Sequence, residues 1–168
     1  MKLSIHFFSL LLITLFSCSS HNPQQDISQV IESFFKNYHN DYRTVDKQFL
    51  SKELYDLIDK AIAREKAEEE KVKNSEFPED KPLMIEGDVF SSLYEGQDAV
   101  KIGDIKIEGN KATAEVEFTN TEFKLTWKDV VILVQENGWK IDDVLYTGHK
   151  VDVKGTKDGL LSLINSKL

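Results

Sequence analysis

The sequence predicts an α+β domain in which N-terminal helices pack on a curved antiparallel sheet of four or more strands, a cystatin-like cone, with a short helix closing the chain. Two observations carry this. From Ile27 to Ile62 apolar residues recur at helical spacing, and from Val100 to Tyr146 they alternate with the two-residue period of half-buried strands. A third is the pair of dipeptides Gly109-Asn110 and Asn137-Gly138, both suited to tight hairpin turns.

Ahead of the domain, residues 1–17 carry one formal charge, Lys2, followed by an apolar run through Ile5, Phe7, Phe8, Leu10, Ile13, Leu15 and Phe16. The run is too short for a spanning helix and reads as a signal peptide. Its end, Leu15-Phe16-Ser17-Cys18, resembles the lipobox of bacterial lipoproteins, with an aliphatic residue three before the cysteine and a small one directly before it. That resemblance implies a diacylglyceryl thioether on Cys18 and acylation of its freed amine, a stable membrane anchor where one chain alone holds marginally. The bland alternative is an ordinary secretory peptide with a chance cysteine. As the only cysteine, Cys18 leaves no partner for an intramolecular disulfide, and once lipidated it leaves no thiol for catalysis or metal binding. Residues 18–25 are expected to be a polar tether, and 26–168 a single domain. Ser19, in place of the aspartate associated with inner-membrane retention, points to the outer membrane facing the periplasm.

Within the domain, Ile27, Val30, Ile31, Phe34, Phe35 and Tyr38 form one helical stripe, with Asp26 and Gln29 spaced as a capping box. A second helix begins near Ser51 and carries Leu54, Leu57, Ile58, Ala61 and Ile62. Its apolar face ends there, and the run from Arg64 to Lys73 reads as a solvated helical extension or a docking arm for a partner. Residues 74–82, with Pro78 and Pro82, form a loop, and 84–97 shows no clear period. Val100, Ile102, Ile105 and Ile107 then alternate with a slip at Gly103-Asp104 that predicts a bulge. Ala112, Ala114, Val116 and Phe118 make the inner face of a second strand. Trp127, Val131 and Leu133 share one face of a third, with Val130, Ile132 and Val134 on the other, so both faces are expected to be partly covered. In the fourth, Trp139, Ile141, Asp143 and Leu145 alternate with Lys140, Asp142, Val144 and Tyr146, and Asp142 is expected to point outward. Leu160, Leu161, Leu163 and Ile164 mark the final helix.

Several residues then combine into a resemblance. Gly138-Trp139-Lys140-Ile141-Asp142-Asp143-Val144 resembles the last strands of nuclear-transport-factor-like cones. The order of Phe34-Phe35-x-x-Tyr38, Leu54-Tyr55-x-Leu57-Ile58, Gly87-Asp88-Val89-Phe90, four strands and a leucine-rich end is similar to the family called domain of unknown function 3828. That resemblance implies an envelope lipoprotein and transfers no catalytic residues, since fold alone does not imply function.

The formal charge is −8, and loss of Lys2 with the leader makes it −9, which repels phosphate backbones and disfavours nucleic-acid binding. The glycines match no dinucleotide or phosphate-loop spacing, no Gly-x-Ser-x-Gly elbow is present, and His39 and His149 stand apart from any metal-ligand spacing, so no cofactor or metal is expected. Enzymes on the related cone, such as ketosteroid isomerase, pair a pocket carboxylate with a tyrosine. Asp143 or Asp129, with Tyr38, Tyr55 or Tyr146, could do likewise; the alternative for Asp143 is a strand-end carboxylate that caps a turn or pairs with a lysine. Trp127 and Trp139 are stacking platforms or core anchors, and their aliphatic neighbours favour core. Asp88 and Phe90 lie in the irregular stretch, where loop residues carry function. The leading expectation is a tethered, non-enzymatic module binding a small ligand or an envelope protein. The others are a pocket acid–base enzyme and an inhibitor or immunity protein whose acidity matches a basic cleft.

Overall fold

The computed structural model describes residues 22–166, so the leader and Cys18 lie outside the described residues. Helix α1 (Pro23–Asn37) starts ahead of the predicted Asp26 cap. Asn22 accepts the Gln24 amide at 3.1 Å, and Pro23 fills the first helical position, where a missing N–H costs nothing. Pro23 to Gln25, expected in the tether, thus form the first helical turn. The predicted stripe is buried at Ile27, Ile31, Phe34 and Phe35.

Two 3₁₀ turns, Tyr42–Thr44 and Lys47–Phe49, lead into α2 (Lys52–Lys73). Ser51 caps α2 by accepting the Leu54 amide at 3.0 Å. The charged run stays helical, but its reading as a solvated face fails at two positions, because Glu65 and Glu68 are buried. Glu65 receives Arg43, and Glu68 pairs with Arg64 at 2.8 Å. A carboxylate with a guanidinium partner can be buried where an unpaired one cannot.

The sheet is an open antiparallel meander in the order β1 (Ala99–Glu108), β2 (Lys111–Asn120), β3 (Leu125–Gln135), β4 (Trp139–Leu145). The β1 register shifts between Ile102 and Ile105, where the Gly103-Asp104 bulge is predicted. Ala112, Ala114, Val116 and Phe118 are buried, and Phe118 pairs with Trp127 on the same face. The opposite face of β3 is half-covered at Val130, Ile132 and Val134. Asn137 and Gly138 take φ of 47° and 106°, the left-handed conformation for which Asn-Gly is suited.

In β4 the expected alternation breaks. The register shifts between Ile132 and Leu133, whose partners are Asp143 and Ile141, so Asp142 is the extra residue of a bulge. Trp139 and Ile141 are buried as expected, but the next inward residue is Val144, not Asp143. Asp142 is correspondingly not an outward, solvated residue. It accepts the Ser51 hydroxyl at 2.6 Å and pairs with Lys157 at 2.8 Å, tying α2, β4 and the last helix together.

Helix α3 (Thr156–Asn165) packs on α2 and β4, burying Leu160 and Leu163 and leaving Leu161 exposed. Between helices and sheet the space is filled by Phe34, Phe90, Phe118, Leu54, Ile58 and Ile141, so the interior between the two layers is packed core rather than cavity. Among the described residues no helix is long and apolar enough to cross a membrane.

Candidate functional site

The open space lies beside the core. A groove of about 370 Å³ runs between the irregular segment 83–94, the loop after β4 and one face of α3. Its walls are largely apolar, with Met84, Ile85, Val89, Val151 and Leu163, and its polar groups include Asp88, Tyr146 and Ser162.

The segment that forms one wall has no regular secondary structure, so its backbone groups need other partners. The charged part of α2 supplies one set. Glu65 grips Arg43 through two bonds, Nε to Oε2 at 2.7 Å and Nη2 to Oε1 at 2.9 Å. This bidentate pair then holds both backbone groups of Ile85: its amide donates to Glu65 at 2.8 Å, and its carbonyl accepts from Arg43 at 2.9 Å. A second set centres on Asp129, which is 0% exposed on the inner face of β3. Its Oδ2 accepts the Ser92 amide at 2.8 Å and the Trp127 indole at 3.1 Å, and its Oδ1 accepts the Thr147 and Gly148 amides at 2.8 and 3.0 Å. One carboxylate thereby fastens both loops that flank the groove to the sheet. The Val89 carbonyl adds a third tie, receiving the hydroxyls of Tyr146 at 2.6 Å and Thr156 at 2.5 Å.

Asp88 lines the groove and is 9% exposed. Its Oδ1 accepts the Tyr38 hydroxyl at 2.5 Å and the Phe90 amide at 2.8 Å, while the buried Oδ2 has no hydrogen-bond partner. The neighbouring Ser91 hydroxyl donates instead to the Leu93 carbonyl at 3.2 Å. Gly87 sets up the turn before Asp88: its φ is 77°, and a Cβ there would strike Tyr94, whose carbonyl receives the Asp88 amide at 2.9 Å.

Burial raises the Asp88 carboxyl to about 6, with the Tyr38 and Phe90 hydrogen bonds and the nearby Ser91 hydroxyl and Val89 amide opposing the rise. From the ordinary carboxylate value up to about 6, the folded protein holds a proton that the unfolded chain has released. Stability is therefore greatest below that window, falls as pH rises through it and is flat above. At about 1.36 kcal/mol per unit, the change attributable to Asp88 is about 3 kcal/mol. Urea denaturation at pH 4 and pH 7 checks this: Asp88→Asn should narrow the difference between the two midpoints, and an unaltered difference would refute the assignment.

The other residues singled out in the sequence take different places. Phe90 is fully buried in the core, with its ring 4.8 Å from Phe34 and 5.0 Å from Tyr38, and does not line the groove. Trp127 and Trp139 are buried, Trp127 against Phe118 and Trp139 beside another hollow near Phe49. Asp143, displaced by the bulge, accepts the Lys157 amide at 3.1 Å in the first turn of α3 and the Val144 amide at 2.8 Å; burial raises its pKa and these bonds oppose the rise. Asp129 and Asp143 are thus occupied by donors in their own surroundings, and the Tyr38 and Tyr146 hydroxyls are committed to Asp88 and Val89. Tyr146 and Asp88 do meet in the groove. The apolar wall from Leu83 to Ile85 and the groove face of α3 were missed, because a wall without a period leaves no pattern to find. Among the described residues no cluster of three His, Cys, Asp or Glu side chains is placed to hold a metal.

Fold and site together define an α+β domain with a lateral apolar groove, in whose wall the buried Asp88 Oδ2 has no hydrogen-bond partner. No family model, curated protein or solved structure matches the chain.

Proposed function

We propose that this protein is an envelope lipoprotein, anchored in the outer membrane through lipid on Cys18, whose domain binds a small amphipathic ligand in the groove without transforming it. The observation that carries the binding reading is the groove itself: about 370 Å³, apolar walls and few polar groups, held open by buried networks. These are the attributes of preformed small-molecule sites, whose volumes run from about 300 to 1,000 Å³. Commitment to protein acceptors of the Tyr146 hydroxyl in the groove and of the Tyr38 hydroxyl behind Asp88 favours holding a ligand over donating protons to one. The anchor rests on the leader and on Leu15-Phe16-Ser17-Cys18.

Each half has its own test. Ser162 is exposed on the groove side of α3, so Ser162→Trp fills the space without disturbing the core. The neutral dye Nile red should brighten with the purified wild-type protein, and its affinity should fall at least about tenfold in the variant, a loss of about 1.4 kcal/mol. Equal affinities would remove the groove as the binding site. For the anchor, Cys18→Ala should abolish incorporation of labelled palmitate and release the protein from membranes; an acylated, membrane-bound variant would overturn it.

A further inference from the structure

We infer that the groove selects a small amphipathic amine, its apolar body against Met84, Val151 and Leu163 and its ammonium paired with Asp88 Oδ2. This deepens the binding reading above, and rests on it, by assigning the ligand's charge and the side chain that receives it.

The lining holds two carboxylates, Glu86 and Asp88, and no lysine, arginine or histidine. Glu86 is already ion-paired with Lys81 on the exposed rim. Asp88 is left with Oδ1 saturated by Tyr38 and Phe90 and with an Oδ2 that no donor bonds within hydrogen-bond distance and that is shut from solvent beside Ser91, so an ammonium reaches it with a turn of the side chain. An ionised carboxylate withdrawn from water lacks solvation that only a cation or strong donor restores, and a charge-assisted bond to an ammonium does so most strongly. A fatty acid or phosphate would meet the reverse: two acidic side chains and no base to receive it. An ammonium also brings three donors, and the hydroxyl oxygens of Ser91, Ser92 and Ser162 in the lining are acceptors for those that Asp88 does not take. The apolar walls favour a hydrocarbon body over a sugar-like or peptide-like one.

Three eight-carbon probes share a tail and differ in the head: octylamine, octanol and octanoate. Each is titrated into isotope-labelled full-chain protein at pH 7.5, with amide shifts followed at Asp88, Tyr94 and Ser162. Octylamine should bind at least about tenfold more tightly than octanol, a gap of about 1.4 kcal/mol, and octanoate should not bind. At pH 5 octylamine should lose about tenfold while octanol is unchanged, because Asp88 then carries its proton. Burial holds Tyr38 and Tyr146 neutral, and the same pair of titrations on Asp88→Asn separates Asp88 from the other groups nearby, Glu86 on the rim, Asp129 and Asp143 beside Tyr146, and His149 behind Ser92. Asp88→Asn should abolish the amine preference and keep octanol binding. Equal affinity for all three probes, or an amine preference surviving in Asp88→Asn, overturns the inference while leaving the groove as a binding site. Failure of all three to shift groove residues removes the binding reading itself, and this inference with it.

Discussion

Asp129→Asn will lower the stability of the domain by about 3 kcal/mol, because four donors converge on a buried side chain that would then carry a donor of its own. An ionised aspartate supplies enough lone pairs for all four; an asparagine keeps one acceptor oxygen and turns an NH₂ toward two of the N–H groups. The damage should appear first at the loops, since Asp129 joins Ser92 on one side of the groove to Thr147 and Gly148 on the other. Urea denaturation reads the total, and hydrogen exchange at those three amides reads its location. A midpoint within experimental error of wild type would show that the loops are held by something else.

Phe90→Ala should be about as severe, costing about 3–5 kcal/mol, the usual range for truncating a buried phenylalanine. The ring is fully buried between Phe34 and Tyr38 and is the main apolar anchor of a segment that has no ladder of its own. Its loss leaves a cavity and also loosens the backbone that aims Asp88, since the Phe90 amide donates to that carboxylate. Nile red affinity should fall together with the urea midpoint; a loss below about 1 kcal/mol would mean that the segment docks mainly through polar ties.

These two residues mark what the sequence disclosed and what it hid. Period alone located α1, the β2 inner face and the bulge in β1, because each buries a regular stripe that leaves its spacing in the chain. Asn137-Gly138 was legible for a local reason, a backbone conformation few other residues accept. Asp88 stood out only as a polar residue in an irregular stretch, and nothing local revealed that Tyr38, fifty positions away, donates to it. The bulge at Asp142 was invisible because an inserted residue is recognised only against its partner strand, and it exchanged the places of Asp143 and Val144. Glu65 misled for a related reason: its charge is satisfied by Arg43, which belongs to the turn Tyr42–Thr44 and not to its own helix.

An open four-stranded sheet has two edges on which another chain could add a strand, and here both are interrupted. Along β4, a parallel bridge from Leu50 to Ile141 and an antiparallel one from Gly155 to Leu145 occupy the outer side. Along β1, the bulge breaks the row of backbone groups, and Lys101, Asp104, Lys106 and Glu108 crowd it with charge. A protein held on a surface, as Cys18 is proposed to hold this one, meets its own copies at high local density. Broken edges keep such encounters from growing into a shared sheet, so the domain can be crowded without becoming a polymer.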